Sequence, residues 1–308
     1  MKIYTFLLLS GFASACFSAD QNIVKVFMLA GQSNMQGAGR IAMDPNRNGG
    51  KGSLEYLVKQ GPDKERYAHL VDARGAWVTR DDVFISYLDR KGKLSVGFGA
   101  RSSAIGPEMQ FGHVLGDYYK EPVLLVKTAW GGKSLARDFR PPAAGGDVGS
   151  YYREMVALAR ELLSDPGAAF PELKGRKPEL AGFAWHQGWN DGCNRDMCLE
   201  YEANLGHFIR DVRKEFGVPK LPFVIADSGF GGRNQKVDRR LMIRQAQAAP
   251  ARSAEFKGTV FCVETQDFFR PAEESPSRQG YHWNSNAETY FLIGDGMGKA
   301  MLRLIKGS

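Results

Sequence analysis

Ser33 stands where a nucleophile could work, directly beyond an apolar run of the chain. It follows residues 26–30 after one glycine and one glutamine, in the stretch VFMLAGQSNMQG. A serine hydroxyl is a useful nucleophile only when a base lies within hydrogen-bonding reach and donors stabilise the oxyanion that forms. A turn from strand to helix suits this role, because it exposes the hydroxyl and the helix start offers free N–H groups. The alternative is that Ser33 is an N-cap of the following segment.

The base must come from the five histidines of the chain. His69 lies in a polar region, and His113 and His207 fall within predicted helices, so these three are expected to be surface or packing residues. His186 ends a predicted strand, and His282 lies in the loop RQGYHWNSN before the last helix. Both His186 and His282 could face the crevice beyond the strand ends.

Polar motifs follow two further apolar runs. The motif WGGKS occupies 130–134 and the motif HQGWND occupies 186–191. In open parallel sheets the ligand binds beyond the carboxyl ends of the strands, where residues that follow different strands meet. These motifs are therefore predicted to share one site with Ser33.

The apolar pattern also predicts the elements that must position these motifs. Short apolar strands separated by helices indicate an α/β fold, a three-layer α/β/α sandwich with a mostly parallel five-stranded sheet. We expect one domain at 20–308, with an insertion at about 45–101 that shapes a substrate wall. The predicted strands are 22–30, 121–130, 179–187, 221–229 and 258–265, and the predicted helices are 107–119, 150–165, 198–217, 239–249 and 286–305.

The chain begins with one lysine, a short apolar stretch and small residues, MKIYTFLLLSGFASACFSAD. This pattern predicts a secretory signal peptide at 1–19, because the apolar stretch is too short to span a bilayer. The protein is then exported, either periplasmic or secreted. Cleavage before Cys16 is the alternative and would leave an outer-membrane lipoprotein, although Ala13 stands where lipoproteins have leucine. No later segment is long and apolar enough for a transmembrane helix.

Three further cysteines follow Cys16. Cys193 and Cys198 lie close together in DGCNRDMC, and export to an oxidising compartment would favour a disulfide between them. A zinc site is the competing interpretation, but the stretch offers too few ligands. Cys262, in the apolar run TVFCVE, is expected to be a buried free thiol.

The charge pattern argues against nucleic acid as a partner. The net charge is +7, but lysine and arginine alternate with acidic residues nearly everywhere, and no basic face with stacking aromatics is visible. The excess of positive charge is consistent with a solvated surface or with a preference for acidic glycans.

Taken together, GQSNM, WGGKS, HQGWND and a histidine before the last helix resemble the SGNH hydrolases. Within them the match is to the sialate O-acetylesterase and acetyl-xylan esterase branch, the SASA domain, over roughly 23–305. The resemblance implies a flavodoxin-like SGNH hydrolase fold and a serine esterase that removes O-acetyl groups from carbohydrates. It implies no metal and no organic cofactor.

The resemblance also assigns roles. Ser33 matches the nucleophile, and its own N–H is one oxyanion donor. His282 matches the catalytic base. Gly132 matches the oxyanion glycine, with Gly131 as the alternative if the register shifts by one residue. Each such donor is worth about 3 kcal/mol of barrier.

A side-chain amide is expected to complete the oxyanion hole. The general G-x-N-D block points to Asn190, whereas the acetylesterase branch points to Gln187, and the sequence leaves both open. Trp189 and Trp283 lie in loop motifs and are candidates for stacking on sugar rings, with core packing as the alternative.

The chain departs from the family pattern at the acid that orients the base. The pattern is D-x-x-H, but Gln279 stands three residues before His282. Among nearby acids we favour Asp267 over Glu264. A dyad in which a backbone carbonyl holds the histidine is also open, since loss of the acid lowers the rate without abolishing it. Two further acids in the same loop are Glu273 and Glu274.

The leading interpretation is therefore an exported carbohydrate O-acetylesterase that works through an acetyl-enzyme. Acetyl-xylan, another acetylated plant or algal glycan, or an acetylated sialic acid are the candidate substrates. A non-catalytic carbohydrate-binding protein on the same fold is one alternative. An esterase, lipase or thioesterase with a different acyl preference is the other.

Overall fold

A twisted β-sheet forms the centre of the computed structural model, which describes residues 22–307. The predicted signal peptide and Cys16 lie outside these residues. The strands are β1 (Ile23–Gly31), β2 (Gly39–Arg40), β3 (Val83–Tyr87), β4 (Arg90–Lys93), β5 (Ala104–Ile105), β6 (Val123–Ala129), β7 (Lys177–His186), β8 (Phe223–Ala226) and β9 (Val260–Val263). The helices are α1 (Ser33–Gln36), α2 (Leu54–Lys59), α3 (Lys64–Tyr67), α4 (Glu108–Tyr118), α5 (Ser150–Ser164), α6 (Pro166–Ala169), α7 (Arg195–Glu215), α8 (Asp238–Arg252) and α9 (Ala287–Lys306).

The sheet has seven strands in the order β4-β3-β6-β1-β7-β8-β9. All neighbouring strands are parallel except β3 and β4, which form an antiparallel hairpin. The α/β class and the mostly parallel sheet are confirmed. None of the helices in the described part of the chain is long and apolar enough to cross a membrane.

The predicted number of five strands was wrong, because β3 and β4 lie within the segment 45–101. They extend the sheet beyond β6. Two-residue hairpin loops usually contain Asn-Gly or Asp-Gly, since these residues tolerate positive φ. Here the loop begins with Leu88 at φ +52. The sequence therefore carried no recognisable turn signal.

Helices cover both faces of the sheet. Successive side chains of β1 point to opposite faces, and both sets are apolar, so both faces must be covered. Val24, Val26 and Met28 belong to one core with residues of α5, α7 and α8. Phe27 and Leu29 belong to the opposite core with residues of α4 and α9. A strand that is buried on both faces reads as a continuous apolar run, which is what residues 26–30 show.

The register of the three central strands aligns the three polar motifs. Gly31, the last residue of β1, is paired with Ala129 of β6 on one side and with His186 of β7 on the other. Gly31 has φ +152, and a Cβ there would lie only 2.2 Å from the carbonyl oxygen of His186. Only glycine fits at position 31, because any side chain would collide with the backbone of β7. The chain can therefore turn out of β1 while it still lies close to β7.

Candidate active site

Ser33 is the first residue of α1, a single turn that follows β1. The N-cap of this turn is Gln32, and no side chain caps it. The alternative role of Ser33 as an N-cap was therefore wrong. Within residues 22–307 neither the hydroxyl nor the backbone N–H of Ser33 has a hydrogen-bond partner, which leaves both groups available to a ligand.

Gln32 fastens the loop that follows β7 to the nucleophile turn. Its side chain is buried, and its Oε1 accepts hydrogen bonds from the backbone N–H of Gly188 at 3.2 Å and of Asn190 at 3.1 Å. The same oxygen accepts a longer bond from Gln187 Nε2 at 3.3 Å. One side chain adjacent to Ser33 therefore holds the whole stretch 187–190.

The glycines of WGGKS lie on the other side of the nucleophile. A Cβ at Gly131 would be 4.0 Å from the Cβ of Ser33, so Gly131 packs beside the nucleophile. Gly132 has φ +71, in the left-handed region, and a Cβ there would meet nothing within 4 Å. The N–H groups of both glycines have no partner among the described residues. They can therefore donate to an oxyanion.

The two candidate amides differ in how fully they are used. Gln187 is buried, its Nε2 donates to the carbonyl of Lys133 at 3.0 Å and to Asp191 Oδ2, and its Oε1 accepts from Tyr201. The side chain of Asn190 is half-buried and has no hydrogen-bond partner in the described chain. The amide of Asn190 is free to bind a ligand, whereas that of Gln187 is committed to structure.

Asp191 joins the loops that follow β6 and β7 beneath the surface. Its fully buried carboxylate accepts from the backbone N–H groups of Leu135 and Ala136, both at 2.9 Å, in addition to Gln187. Burial raises the pKa of Asp191 to about 6, against the opposing effect of these hydrogen bonds. The aspartate of HQGWND is thus a structural link between the loops that follow β6 and β7.

His282 is brought to the nucleophile turn by two residues near it. Asn34, next to Ser33, donates from Nδ2 to the carbonyl of Tyr281 at 3.0 Å. The hydroxyl of Tyr290 lies 3.1 Å from Asn34 Oδ1 and 3.3 Å from the carbonyl oxygen of His282. Ser33 and His282 are not hydrogen-bonded to each other here; bonds of this kind often tighten only when substrate is bound.

The loop that carries His282 has an unusual backbone. Trp283, Asn284 and Ser285 all have φ between +51 and +57. Such residues cost about 1–3 kcal/mol each and persist only where the surroundings fix them. Here the surroundings do so, because Trp283 is fully buried and Asn284 Nδ2 donates to the carbonyl of Arg270 at 3.0 Å.

The structure does not bring the expected acid to His282. Asp267 is exposed and forms a two-pronged ion pair with Arg233, with both N–O distances 2.6 Å. Glu264 is exposed as well. Burial lowers the pKa of His282, and no charged neighbour acts on that pKa. Among residues 22–307 no carboxylate is hydrogen-bonded to His282.

His186, the other candidate base, is part of the core. It is fully buried, and its Nδ1 lies 3.0 Å from the carbonyl oxygen of Ala226. Burial lowers the pKa of His186 to about 4. It is therefore neutral and out of reach of a ligand. His113 is buried in α4, and His69 packs against it with a ring separation of 5.1 Å.

Of the two candidate sugar-binding tryptophans, only Trp189 has accessible surface. Trp283 is fully buried and packs against Phe230, so it is a packing residue. Trp189 is half-buried, and the guanidinium of Arg240 lies 3.5 Å from its ring centre. Tyr281, which the sequence did not single out, is 39% exposed and its ring centre lies 5.3 Å from that of Trp189. Its position beside His282 was the available signal.

A cavity of about 520 Å³ opens beside His282. Its lining includes two arginines, Arg40 and Arg101, and one acid, Asp44. Arg40 lies 4.0 Å from Asp44, whereas the guanidinium of Arg101 has no ion pair or hydrogen bond in the described chain. Residues within 38–44 and 100–104 line this cavity together with His282, so both boundaries of the predicted insertion lie near it.

The predicted disulfide is not formed, because Cys193 and Cys198 are free thiols. Cys193 Sγ is 3.4 Å from the carbonyl of Trp189, and Cys198 Sγ, in α7, is 3.4 Å from that of Asp191. Each thiol thus contacts a different carbonyl. Cys262 is a free, half-buried thiol. Within residues 22–307 no cluster of three metal-binding side chains exists.

The family described as carbohydrate esterase, sialic acid-specific acetylesterase (SASA), matches residues 23–303. Among curated proteins, none matches the sequence significantly.

Three solved structures are similar in fold. A protein from Arabidopsis thaliana has a TM-score of 0.58 and 17% identity, covering 90% of this chain and 97% of its own. XAC1771, a carbohydrate acetylesterase from Xanthomonas citri, has a TM-score of 0.55 and 16% identity, covering 92% of this chain and 57% of its own. NanS has a TM-score of 0.58 and 12% identity, and the match covers 94% of this chain and 99% of NanS. At these identities the likeness concerns the fold.

Proposed function

Because the chain belongs to the SASA family of carbohydrate esterases, we propose that it is a serine esterase that hydrolyses O-acetyl groups of carbohydrates through an acetyl-enzyme. The observation that carries the proposal is the bridge that Asn34 and Tyr290 form between the turn of Ser33 and the loop of His282. It places the residues next to a nucleophile and next to a base in direct contact. The bridge therefore supports a reaction in which Ser33 and His282 act together.

The reaction begins when the neutral ring of His282 accepts the proton of Ser33 and the serine oxygen attacks the acetyl carbonyl. Because burial lowers the pKa of His282, the ring is neutral at pH 7 and can act as a base. The C–O bond to the sugar then breaks, and His282 returns the proton to the leaving alkoxide. Water, deprotonated by His282, attacks the acetyl-enzyme and releases acetate and free Ser33.

We assign the oxyanion to three donors that have no protein partner: the N–H groups of Ser33 and Gly132 and the side-chain amide of Asn190. Gly131 contributes the close packing beside Ser33. Gln187 has a structural role instead, since its amide already donates hydrogen bonds to the carbonyl of Lys133 and to the carboxylate of Asp191. Preorganised donors of this kind usually provide the largest share of catalysis in acyl transfer.

The test is hydrolysis of p-nitrophenyl acetate and release of acetate from acetylated carbohydrates. Wild type is expected to be active, and Ser33→Ala inactive with an unchanged melting temperature. Mass spectrometry of rapidly quenched wild type should find one acetyl group on Ser33. If wild type cleaves no acetyl ester, the esterase proposal fails and the carbohydrate-binding alternative stands. A strong preference for long acyl chains would favour the lipase alternative.

For the substrate, we propose that the acetylated sugar carries a carboxylate, as sialic acid does. The supporting observation is the cavity beside His282, where the guanidinium of Arg101 has no partner in the described chain and that of Arg40 has only a distant one. A guanidinium binds a carboxylate with two parallel hydrogen bonds. Arg101→Gln should raise the KM for O-acetylated sialic acid about tenfold and leave acetyl-xylan unaffected. Arg278→Gln, an exposed arginine outside the cavity lining, is the control.

We also propose export, on the evidence of the sequence 1–19 alone. The mature protein should begin at Asp20, which N-terminal sequencing of protein from the periplasm or the medium would show. A lipid-modified Cys16 at the N-terminus would instead support the lipoprotein alternative.

A further inference from the structure

A fully buried ion pair lies beneath the nucleophile turn, and the mechanism above does not use it. Lys127 of β6 and Glu108 of α4 are joined at 2.7 Å, with side chains 0% and 1% exposed. Removing two charges from water is expensive, and an apolar pair of similar volume is often as stable or more stable. The pair therefore calls for an explanation other than stability.

The ammonium group of Lys127 donates hydrogen bonds to three different segments of the chain. Its three protons go to the carbonyl of Gln36 at 2.7 Å, to the carbonyl of Phe98 at 2.8 Å and to Glu108 Oε2 at 2.7 Å. Glu108 in turn accepts from the N–H of Gly106 at 2.8 Å through its other oxygen. Every hydrogen-bonding group of the ammonium is satisfied, so its position is fixed in all three directions.

One of the three segments is the nucleophile turn itself. Gln36 is the last residue of α1, three residues after Ser33. Its Nε2 donates to the hydroxyl of Tyr87 at 2.7 Å, and a Cβ at Gly131 would lie 3.1 Å from its Oε1. Gln36 thus touches the oxyanion loop with its side chain and Lys127 with its carbonyl.

We propose that the Lys127–Glu108 ion pair is a positioning device that sets the angle of the nucleophile turn against the oxyanion loop, acting through Gln36. The proposal rests on the proposed esterase function for its kinetic consequence. The opposite end of the turn is held by β1 and Gln32. Without Lys127 the Gln36 end keeps its side-chain bond to Tyr87 but loses the bond to its carbonyl, so this is the end expected to shift. A displacement of 1 Å at a reacting group can lower the rate about 100-fold.

The experiment separates positioning from stability with three variants. Lys127→Met leaves the carboxylate unpaired, and Lys127→Met/Glu108→Leu replaces the pair by apolar side chains. Arg80→Met is the control, because Arg80 has a largely buried side chain and forms its ion pairs with Asp82 and Asp117, away from α1. Each variant is measured for melting temperature, kcat and KM on p-nitrophenyl acetate, and amide hydrogen exchange at residues 35–37.

The proposal predicts that stability and catalysis separate. Lys127→Met should lose melting temperature and about 100-fold in kcat, with KM changed less than threefold. The double variant should regain melting temperature but not kcat, and exchange at 35–37 should be faster than in wild type in both. Arg80→Met should lose melting temperature alone.

Recovery of kcat together with melting temperature in the double variant would overturn the proposal. So would unchanged exchange at 35–37 in Lys127→Met. The exchange measurement does not depend on catalysis, so it decides the positioning role even if wild type proves inactive and the esterase proposal fails. Should Lys127→Met not fold, the double variant provides the same comparison with Arg80→Met.

Discussion

The turn that carries Ser33 and the loop that carries His282 are held by different means. The turn is fixed from the sheet, through the register of Gly31 and the three hydrogen bonds that the side chain of Gln32 accepts. The loop is fixed by packing and backbone contacts, through the buried ring of Trp283 and the hydroxyl of Tyr290. No carboxylate of the described chain is hydrogen-bonded to His282, although an acid is the usual partner of a histidine that acts as a base.

Under the roles proposed for Ser33 and His282, the difference amounts to two ways of preorganising a catalytic group. Oxyanion donors must be held rigidly, because their benefit comes from being in place before charge develops. A histidine base needs its ring held in one orientation, and an acid is only one way to do so. Three consecutive left-handed residues, fixed by the buried Trp283, can hold the backbone of the loop instead. Each prediction below tests one side of this comparison.

The largest effect is expected at the base itself. His282→Ala should lower kcat by about 10⁴-fold, because proton transfer from Ser33 loses its acceptor. If no acid assists His282, Asp267→Asn and Glu264→Gln should remain within twofold of wild type. Steady-state kinetics on p-nitrophenyl acetate checks all three. A loss of 100-fold or more in either acid variant would restore a triad.

Next in size is the amide of the oxyanion hole. Asn190→Ala should lower kcat by about 10²–10³-fold, since one oxyanion donor is removed, and leave the melting temperature nearly unchanged. Asn194→Ala is the control, because Asn194 caps α7 through a bond to the N–H of Met197. It should lower stability by about 1 kcal/mol and not kcat. Full activity in Asn190→Ala would return the role to Gln187.

A smaller effect is expected at Tyr290, which contacts both the turn of Ser33 and the loop of His282. Tyr290→Phe keeps the packing but removes the hydroxyl that contacts Asn34 and His282, worth about 1 kcal/mol. We expect kcat to fall about fivefold to tenfold, with KM unchanged. The control is Tyr152→Phe, whose buried hydroxyl has no partner. It should not lower kcat. Equal kinetics in the two variants would show that the bridge is not needed.

The smallest effect concerns pH. Burial alone lowers the pKa of His282 from its ordinary value of 6.5, whereas a neighbouring carboxylate would raise it. Since the neutral ring is the base, activity should rise with pH through that pKa, with its midpoint below 6.5. NMR titration of the His282 ring in Ser33→Ala assigns the group directly. A midpoint above 6.5 would indicate an acid partner.

Much of this site follows from local sequence. The apolar runs predicted β1, β6, β7, β8 and β9, because strands buried on both faces cannot be polar. The motifs that follow β1, β6 and β7 predicted a shared site, because parallel strands end at the same edge. The hairpin β3–β4 was missed since its turn begins with Leu88, which gives no glycine or asparagine signal.

By itself the sequence determined the fold class and nominated Ser33 and His282 as nucleophile and base, because these inferences depend on patterns within single segments. Only the tertiary structure decided which partners these residues have. Asp267 pairs with Arg233, Gln187 is committed to internal hydrogen bonds, and Trp283 is buried. Such pairings are choices among side chains far apart in the chain. Sequence distance carries no information about them, whereas packing of the finished fold brings one partner within reach and removes the others.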